Sequence, residues 1–518
     1  MNSLLVFQPT KSNWCASLLS LLAILPLASL TAEPVRADVS LTNIFSDHMV
    51  LQRDQANKVW GKATPGEKVT VKISEQSLST AADDAGLWQV TLKPLPVGGP
   101  LELIVSGDNN EVRIADVLVG EVWVCSGQSN MQWSVANSTN ADLERLTAKN
   151  PQLRMINFPQ VGAQEPVWEH PKSQWQICTP ENVNAFSAVG YFFGRQLQET
   201  LDVPVGLINN AWGGSSCEAW ISREKLEAAG KYSTMLKQFD DMAAQAATLT
   251  AKPDRTAEEQ KQLDNLNRAL AGNHRPANIY NGVLKSHLGY GIRGTIWYQG
   301  ESNASRAYQY RELFPLMISS WREEWGQGDF PFYWVQLADF MQEKPEPTES
   351  EWAELREAQT MTMAKLKHTG QAVIIDIGEG KDIHPKNKVE VGMRLARLAL
   401  ANEYGIEIAS RSPQYKSMEL SGNKIILTFD HIDGGWRPFD TRQPVGFAIA
   451  GEDKKFVWAD AKILDDKRVE VSSAAVAKPV AVRYAWADNP VCNMYDAVGL
   501  PLTPFRTDDW AGLTVDNQ

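Results

Sequence analysis

The spacing of apolar and polar positions changes character several times along this 518-residue chain. From Asp38 to about Asp116 it is strand-like, with short runs of period two at Lys68 to Ile73, Leu87 to Leu92 and Leu101 to Val105. Turn signals (Pro65-Gly66, Gly98-Gly99, Asp108-Asn109) separate these runs, which predicts a small β-sandwich over 38–116. Further on, near-continuous apolar runs stand at Val117 to Cys125, Val205 to Ile208, Thr295 to Tyr298, Phe330 to Leu337 and Ala372 to Ile377. They alternate with helical patterns at Phe186 to Leu201, Arg306 to Trp325, Trp352 to Leu366 and Val389 to Ala401. Strands apolar on both faces need cover on both, so the alternation predicts an α/β layer with a parallel sheet over 117–408. Residues 223–272, rich in Lys, Glu, Gln and Ala, read as a polar helical insertion in that layer. After about Ala409 period two returns, at Lys424 to Phe429, Val469 to Val471 and Val480 to Tyr484, and predicts a second β domain over 409–518.

The N-terminus has another kind of run. Residues 16–30 are apolar, follow Lys11 and contain Pro26, the length of a signal-peptide core and too short for a membrane-spanning helix. Val35 and Ala37 place small residues before a cut at Asp38, and Ala32 offers a second option. The expectation is a signal peptide over 1–37 and an exported protein, periplasmic or secreted, with no membrane span afterwards.

Composition narrows the partners. Lys plus Arg total 50 against 62 Asp plus Glu, a net charge of −12, and no basic run marks a nucleic-acid surface. Oligomeric state is not legible. Cys15 would leave with the leader; Cys125, Cys178, Cys217 and Cys492 remain, and export permits disulfides among them in any of three full pairings. The chain has no CxxC or HExxH metal pattern and no Gly-rich phosphate cradle, so neither metal nor other cofactor is expected. Its 18 Trp outnumber Phe and Tyr. Indoles fill cores but also stack on sugars, and Trp133, Trp212, Trp220, Trp297 and Trp436 lie in or near candidate loops.

In a parallel sheet, reactive groups gather beyond the carboxyl ends of the strands. The first central run ends in Ser126-Gly-Gln-Ser129-Asn-Met131, where Gly127 permits a sharp turn that lifts the Ser129 hydroxyl above the sheet. Ser129 is the candidate nucleophile, with an N-cap role as the plain alternative. Among seven His, His384 follows an apolar run and has Asp382 two residues before it, close enough to orient its ring as a general base. The run to Ile208 ends in Asn209-Asn-Ala-Trp212-Gly213-Gly214-Ser215, and the run to Tyr298 in Gln299-Gly-Glu301-Ser302-Asn303; both carry groups suited to an oxyanion site. Ser302 competes for the nucleophile's role because Gly300-Glu-Ser-Asn303 echoes Gly127-Gln-Ser-Asn130, while the absence of GxSxG argues against an ordinary α/β-hydrolase elbow.

Taken together, SGQSNM, WGGS with Glu218-Ala219-Trp220, WYQGESN, and DIHP with Lys388, Gly392 and Arg394 resemble the sialate O-acetylesterase family of the SGNH (GDSL-like) hydrolases. The likeness extends to Val50-Leu-Gln-Arg53 and to Gly499-Leu-Pro501 before Pro504-Phe-Arg506, and so spans almost the whole exported chain. The resemblance implies an SGNH-type three-layer α/β/α hydrolase domain flanked by N- and C-terminal β-sandwich-like domains. It implies Ser129 as nucleophile, His384 as base and Asp382 as its partner. The implied oxyanion donors are the Ser129 N–H, Gly213 or Gly214, and Gln299, which replaces the superfamily's usual Asn; Asn303 is the other option for the third. Gln128, Asn130, Trp212, Glu301 and Asn303 are the implied substrate contacts. The function implied is a serine esterase that removes O-acetyl groups from carbohydrates, most like a sialate O-acetylesterase. The alternatives are an acetylxylan esterase, a lipase or thioesterase of the superfamily, and a non-catalytic carbohydrate-binding protein. An anionic sialate would call for a cation, with Arg293, Arg437 and Arg442 as candidates, and activity is expected to rise as His384 deprotonates near or above about 6.5.

Overall fold

The structure, a computed structural model, describes residues 38–517; the expected signal peptide lies outside the described residues. At its centre is a mixed sheet whose strands are β1 (Glu111–Gly127), β2 (Asn150–Asn157), β3 (Gln176–Cys178), β4 (Val205–Asn209), β5 (Gly294–Tyr298), β6 (Phe332–Val335) and β7 (Thr369–Ala372). Their spatial order is β3-β2-β4-β1-β5-β6-β7, all neighbours parallel except the β3 edge. β4, β5 and β6 are buried along their whole length, as strands covered on both faces must be.

Four long helices supply that cover. Helix α1 (Ser129–Gln132) is a single turn, while α2 (Ala188–Leu201), α3 (Ala307–Trp325), α4 (Glu351–Lys365) and α5 (Lys388–Glu403) pack on the sheet. Side chains alternate across a strand, and β6 shows which helix takes which face. Phe332 and Trp334 meet Phe314 of α3, whereas Tyr333 between them stacks on Trp123, which in turn contacts Phe193 of α2. Glycines admit the close approaches: a Cβ at Gly194 of α2 would lie 2.7 Å from Leu207 of β4, and one at Gly392 of α5 would lie 2.7 Å from Phe192.

β1 is seventeen residues long and belongs to two regions at once. Its first half pairs with Gly98–Ser106 and, in parallel, with Val50–Gln52; its second half is the central parallel strand. The position expected to separate two domains, 116/117, therefore falls inside one continuous strand, and the apolar cores on either side merge. A three-stranded sheet (Ser40–Leu41, Asn57–Lys62, Leu87–Leu92) completes the N-terminal part. Two antiparallel helices, Ser233–Ala251 and Ala257–Leu270, project from the central layer, the second opened by a capping box of Thr256 with Glu259. After α5, two four-stranded antiparallel sheets enclose a second core around Ile425, Leu427, Phe447, Val469 and Tyr484. Val373 and Ile375, on the chain leaving β7, join that core. Among the described residues no helix is long and apolar enough to cross a membrane.

Candidate active site

The carboxyl ends of β1, β4 and β5 are tied together by backbone. Gln128 N–H donates to Tyr298 O (2.9 Å) and Trp212 N–H to Gly127 O (3.0 Å). Gly127 has φ +131°, and a Cβ there would lie 2.2 Å from Tyr298 O, so only glycine allows β1 to turn this close to β5. The chain rises from that turn into α1, whose first residue is Ser129. At this position the Ser129 N–H has no intrahelical acceptor.

Ser129 Oγ lies 2.8 Å from His384 Nε2, although the two are 255 residues apart. This is the geometry of a hydroxyl donating to the bare nitrogen of a neutral imidazole. Trp133, one turn after the serine, stacks on the imidazole at 4.8 Å between centroids and 13° between planes, and its own indole N–H donates to Asn137 O (2.9 Å). Asp382 makes a looser partner. Its Oδ1 accepts the backbone N–H of His384 at 2.9 Å, but stands 3.6 Å from Nδ1, and the carboxylate is 41% exposed. Asp382 shapes the loop more than it grips the ring. Burial holds the His384 pKa below its ordinary value, the positive charge of Lys388 lowers it further, and Asp382 opposes both. The expectation of an unshifted or raised value is thus corrected downward.

On the other flank Gly213 packs against Ser129: a Cβ there would lie 3.3 Å from Ser129 Cβ. The Gly213 N–H donates to Gln132 Oε1 (2.8 Å), so an amide oxygen occupies this backbone donor beside Ser129. Asn273, just beyond the projecting helices, donates to Gly213 O. Gly214 lies in the left-handed region (φ +72°), and its carbonyl accepts from Ser302 Oγ at 2.9 Å. That bond makes Ser302 a brace for the Gly-Gly turn rather than a rival nucleophile.

Several residues placed at the site by their position in sequence turn inward instead. Gln299 is fully buried and its amide donates to Ser215 O (3.1 Å) and Asn303 Oδ1 (2.7 Å), while Tyr310 donates to its oxygen. Asn303 in turn receives the Cys217 N–H and donates to Glu218, which pairs with Arg306. Both hydrogens of the Gln299 amide are thus engaged, and Asn303 turns one of its own to Glu218. Gln128 is buried and accepts the Gly300 N–H; Asn130 is buried and donates to Glu301, a half-buried residue whose Oε2 is shut off from solvent. Of the five expected substrate contacts, Trp212 and Glu301 are partly open, Trp212 packed against the core. Trp220 and Trp297 are fully buried neighbours, and Trp436 packs on Phe429 of the C-terminal core. Arg293 binds Glu121 at the opposite end of the sheet, and Arg437 and Arg442 are exposed on a C-terminal loop. All four described cysteines are free thiols. Among the described residues no group of three or more His, Cys, Asp or Glu is placed to hold a metal ion.

Sequence reasoning took Trp133 only as a possible sugar plate, not as a partner of His384, and passed over Gln132, though both stand within four residues of Ser129 and share its turn. The family model for carbohydrate esterases described as sialic acid-specific acetylesterases matches residues 119–251 and 274–401, the segments that carry Ser129, Gly213 and His384. The chain belongs to that family. The sialate O-acetylesterase of Mus musculus is 30% identical over 510 residues, covering 89% of this chain and 93% of the mouse protein. The Homo sapiens sialate O-acetylesterase is 28% identical over 529 residues, covering 93% and 95%. A crystal structure of a carbohydrate acetylesterase from Xanthomonas citri is similar at 38% identity and a TM-score of 0.79, covering 91% of this chain and all of that one. The protein is therefore a carbohydrate esterase of this family, and the Ser129–His384 contact falls within the part that the family shares.

Proposed function

We propose that the protein hydrolyses O-acetyl esters on carbohydrates through an acyl-enzyme, with acetylated sialic acid as its substrate class. In this reading the central layer is an SGNH-type hydrolase domain between two β-sandwich-like domains, and the protein is exported. Ser129 gives its proton to His384 Nε2 as Oγ adds to the acetyl carbonyl; the oxyanion receives the N–H of Ser129 and, once the Gln132 side chain swings aside, that of Gly213. Collapse expels the sugar oxygen, which takes the proton from His384. Water, deprotonated by the same imidazole, then releases acetate and restores Ser129. Trp133 and the His384 loop hold the ring flat and in line throughout. Asp382 contributes modestly to this orientation.

The observation that carries the reading is the 2.8 Å contact between Ser129 Oγ and His384 Nε2 at the carboxyl ends of the central strands. Acetate release from O-acetylated sialic acid, measured beside acetylated xylan and a p-nitrophenyl acyl series, tests it. The expected result is turnover of the acetyl ester, faster on sialate than on xylan and absent in Ser129→Ala. Preference for xylan would move the substrate to the neutral polysaccharide, preference for long acyl chains would point to a lipase, and sugar binding with no turnover would overturn the catalytic reading.

A further inference from the structure

Directly behind the Ser129–His384 pair lies a buried polar chain that the mechanism above does not use. Asn130, 1% exposed, donates through Nδ2 to Glu301 Oε1 (2.7 Å) and to Ile383 O (3.0 Å), and its Oδ1 accepts from Lys388 Nζ. The residue after the nucleophile thus grips the carbonyl of the residue before the base. Lys388, at the start of α5, is fully buried, with its ammonium 5.2 Å from the Tyr298 ring centroid.

We propose that Lys388, with Glu301 as its buried counter-ion, is a positioning residue that registers the His384 loop on the nucleophile's turn through Asn130 and keeps the imidazole unprotonated between turnovers. The inference rests on the Ser129–His384 reading given above. Hydrogen-bond chemistry supports the first part. A charged lysine donates and cannot accept, so in that form it must face the amide oxygen of Asn130; the amide hydrogens are then left to face Glu301 and Ile383 O. With the amide reversed, NH₂ would meet the ammonium and oxygen would meet oxygen at both other contacts.

Charge supports the second part. The charged groups acting on Lys388 are Glu301 beyond β5 and Asp382 and Glu379 on the His384 loop; those acting on His384 are Lys388 and Asp382. Burial pushes the Lys388 ammonium down to about 7 and the Glu301 carboxyl up, and Glu301 Oε2 has no hydrogen-bond partner. A cation behind the imidazole opposes its protonation at rest. It also makes the imidazolium, once formed by transfer from Ser129 Oγ, a stronger acid toward the departing sugar oxygen.

The test is kcat/KM for p-nitrophenyl acetate from pH 4.5 to 9 in wild type, Lys388→Met, Lys388→Met/Glu301→Gln and Ser129→Ala. With the cation removed, the acid limb is expected to move up by about 0.5–1 pH unit, so that the loss is several-fold larger at pH 5.5 than at pH 8. The double variant removes the stranded carboxylate as well, and serves if Lys388→Met alone fails to fold; it is expected to show the same moved limb. An equal loss at every pH, or an unmoved limb with activity intact, overturns the proposal while Ser129→Ala stays inactive. Turnover surviving in Ser129→Ala overturns the underlying catalytic reading instead.

Discussion

Glu121 and Glu301 are both buried carboxylates beside the central sheet, at opposite ends of its strands. Glu121 marks the entrance of the parallel part of β1, roughly 20 Å from the Gly127 turn at about 3.3 Å per residue. It accepts from Arg53 Nε, from Arg293 Nε at 2.9 Å and from Gln52 Nε2 at 3.1 Å. Burial alone would raise its pKa, but the hydrogen bonds and charge of Arg293, joined by Arg53 and Gln52, bring it below the ordinary carboxylate value. Glu301 has one bonded oxygen, one orphan oxygen and a lysine reached through an amide; burial wins there and its pKa rises. A saturated ion cluster has one stable charge state and fastens strands, whereas an undersaturated one can change charge at modest cost, and this one adjoins the Ser129–His384 pair through Asn130.

Ser129→Ala separates the two ends most sharply. It is expected to lower kcat for acetyl ester hydrolysis by roughly 10⁴-fold or more with little change in thermal stability; a loss below tenfold would remove the chemistry from this end of the sheet. Glu121→Gln is the converse. It leaves Arg53 and Arg293 without their shared carboxylate, and denaturant unfolding should show a loss of about 3–5 kcal/mol while kcat stays within a few-fold. In wild type, the paired Glu121 contributes stability above its unfolded pKa, and that contribution is lost as pH falls through its lowered folded value. Gly213→Ala brings a Cβ to 2.9 Å from Gln132 Oε1 and 3.3 Å from Ser129 Cβ, and kcat should fall about 10- to 10²-fold. Asp382→Asn is the smallest of the four: with a 3.6 Å contact to the ring, a loss of about tenfold or less is expected. Its acid limb should move to lower pH, because Asp382 raises the His384 pKa. If the neutral imidazole is the base, the wild-type limb should lie below about 6.5, since burial and then Lys388 depress its pKa; a limb above that value would mean that Asp382 outweighs both.

The alternation of apolar runs with helical patterns made the central layer legible, because strands covered on both faces leave no other pattern. Ser129 and His384 were nameable for a related reason: each follows a run that must be a buried strand, so its loop must open at the carboxyl edge of the sheet. The boundary within β1 was not legible, since a strand that serves two sheets shows the same apolar pattern in both. Nor were the roles of Gln299, Asn303 and Glu301. A polar side chain in a strand-end loop looks the same in sequence whether it faces a ligand or a neighbouring loop. Here Ser215, Cys217 and Asn130 take up their hydrogen bonds and turn them into walls.

What the order of residues determined alone was which local segments could be strand, helix or sharp turn, together with the few side chains able to act as nucleophile or base. Those properties depend on period, on glycine's freedom and on functional-group chemistry within a handful of neighbours. Only the tertiary structure decided that Trp133 lies flat on His384, that Gln132 occupies the Gly213 N–H, and that Lys388 faces Asn130 across 258 residues. Burial, charge coupling and hydrogen-bond saturation belong to groups that meet in space, and their partners have no fixed separation along the chain.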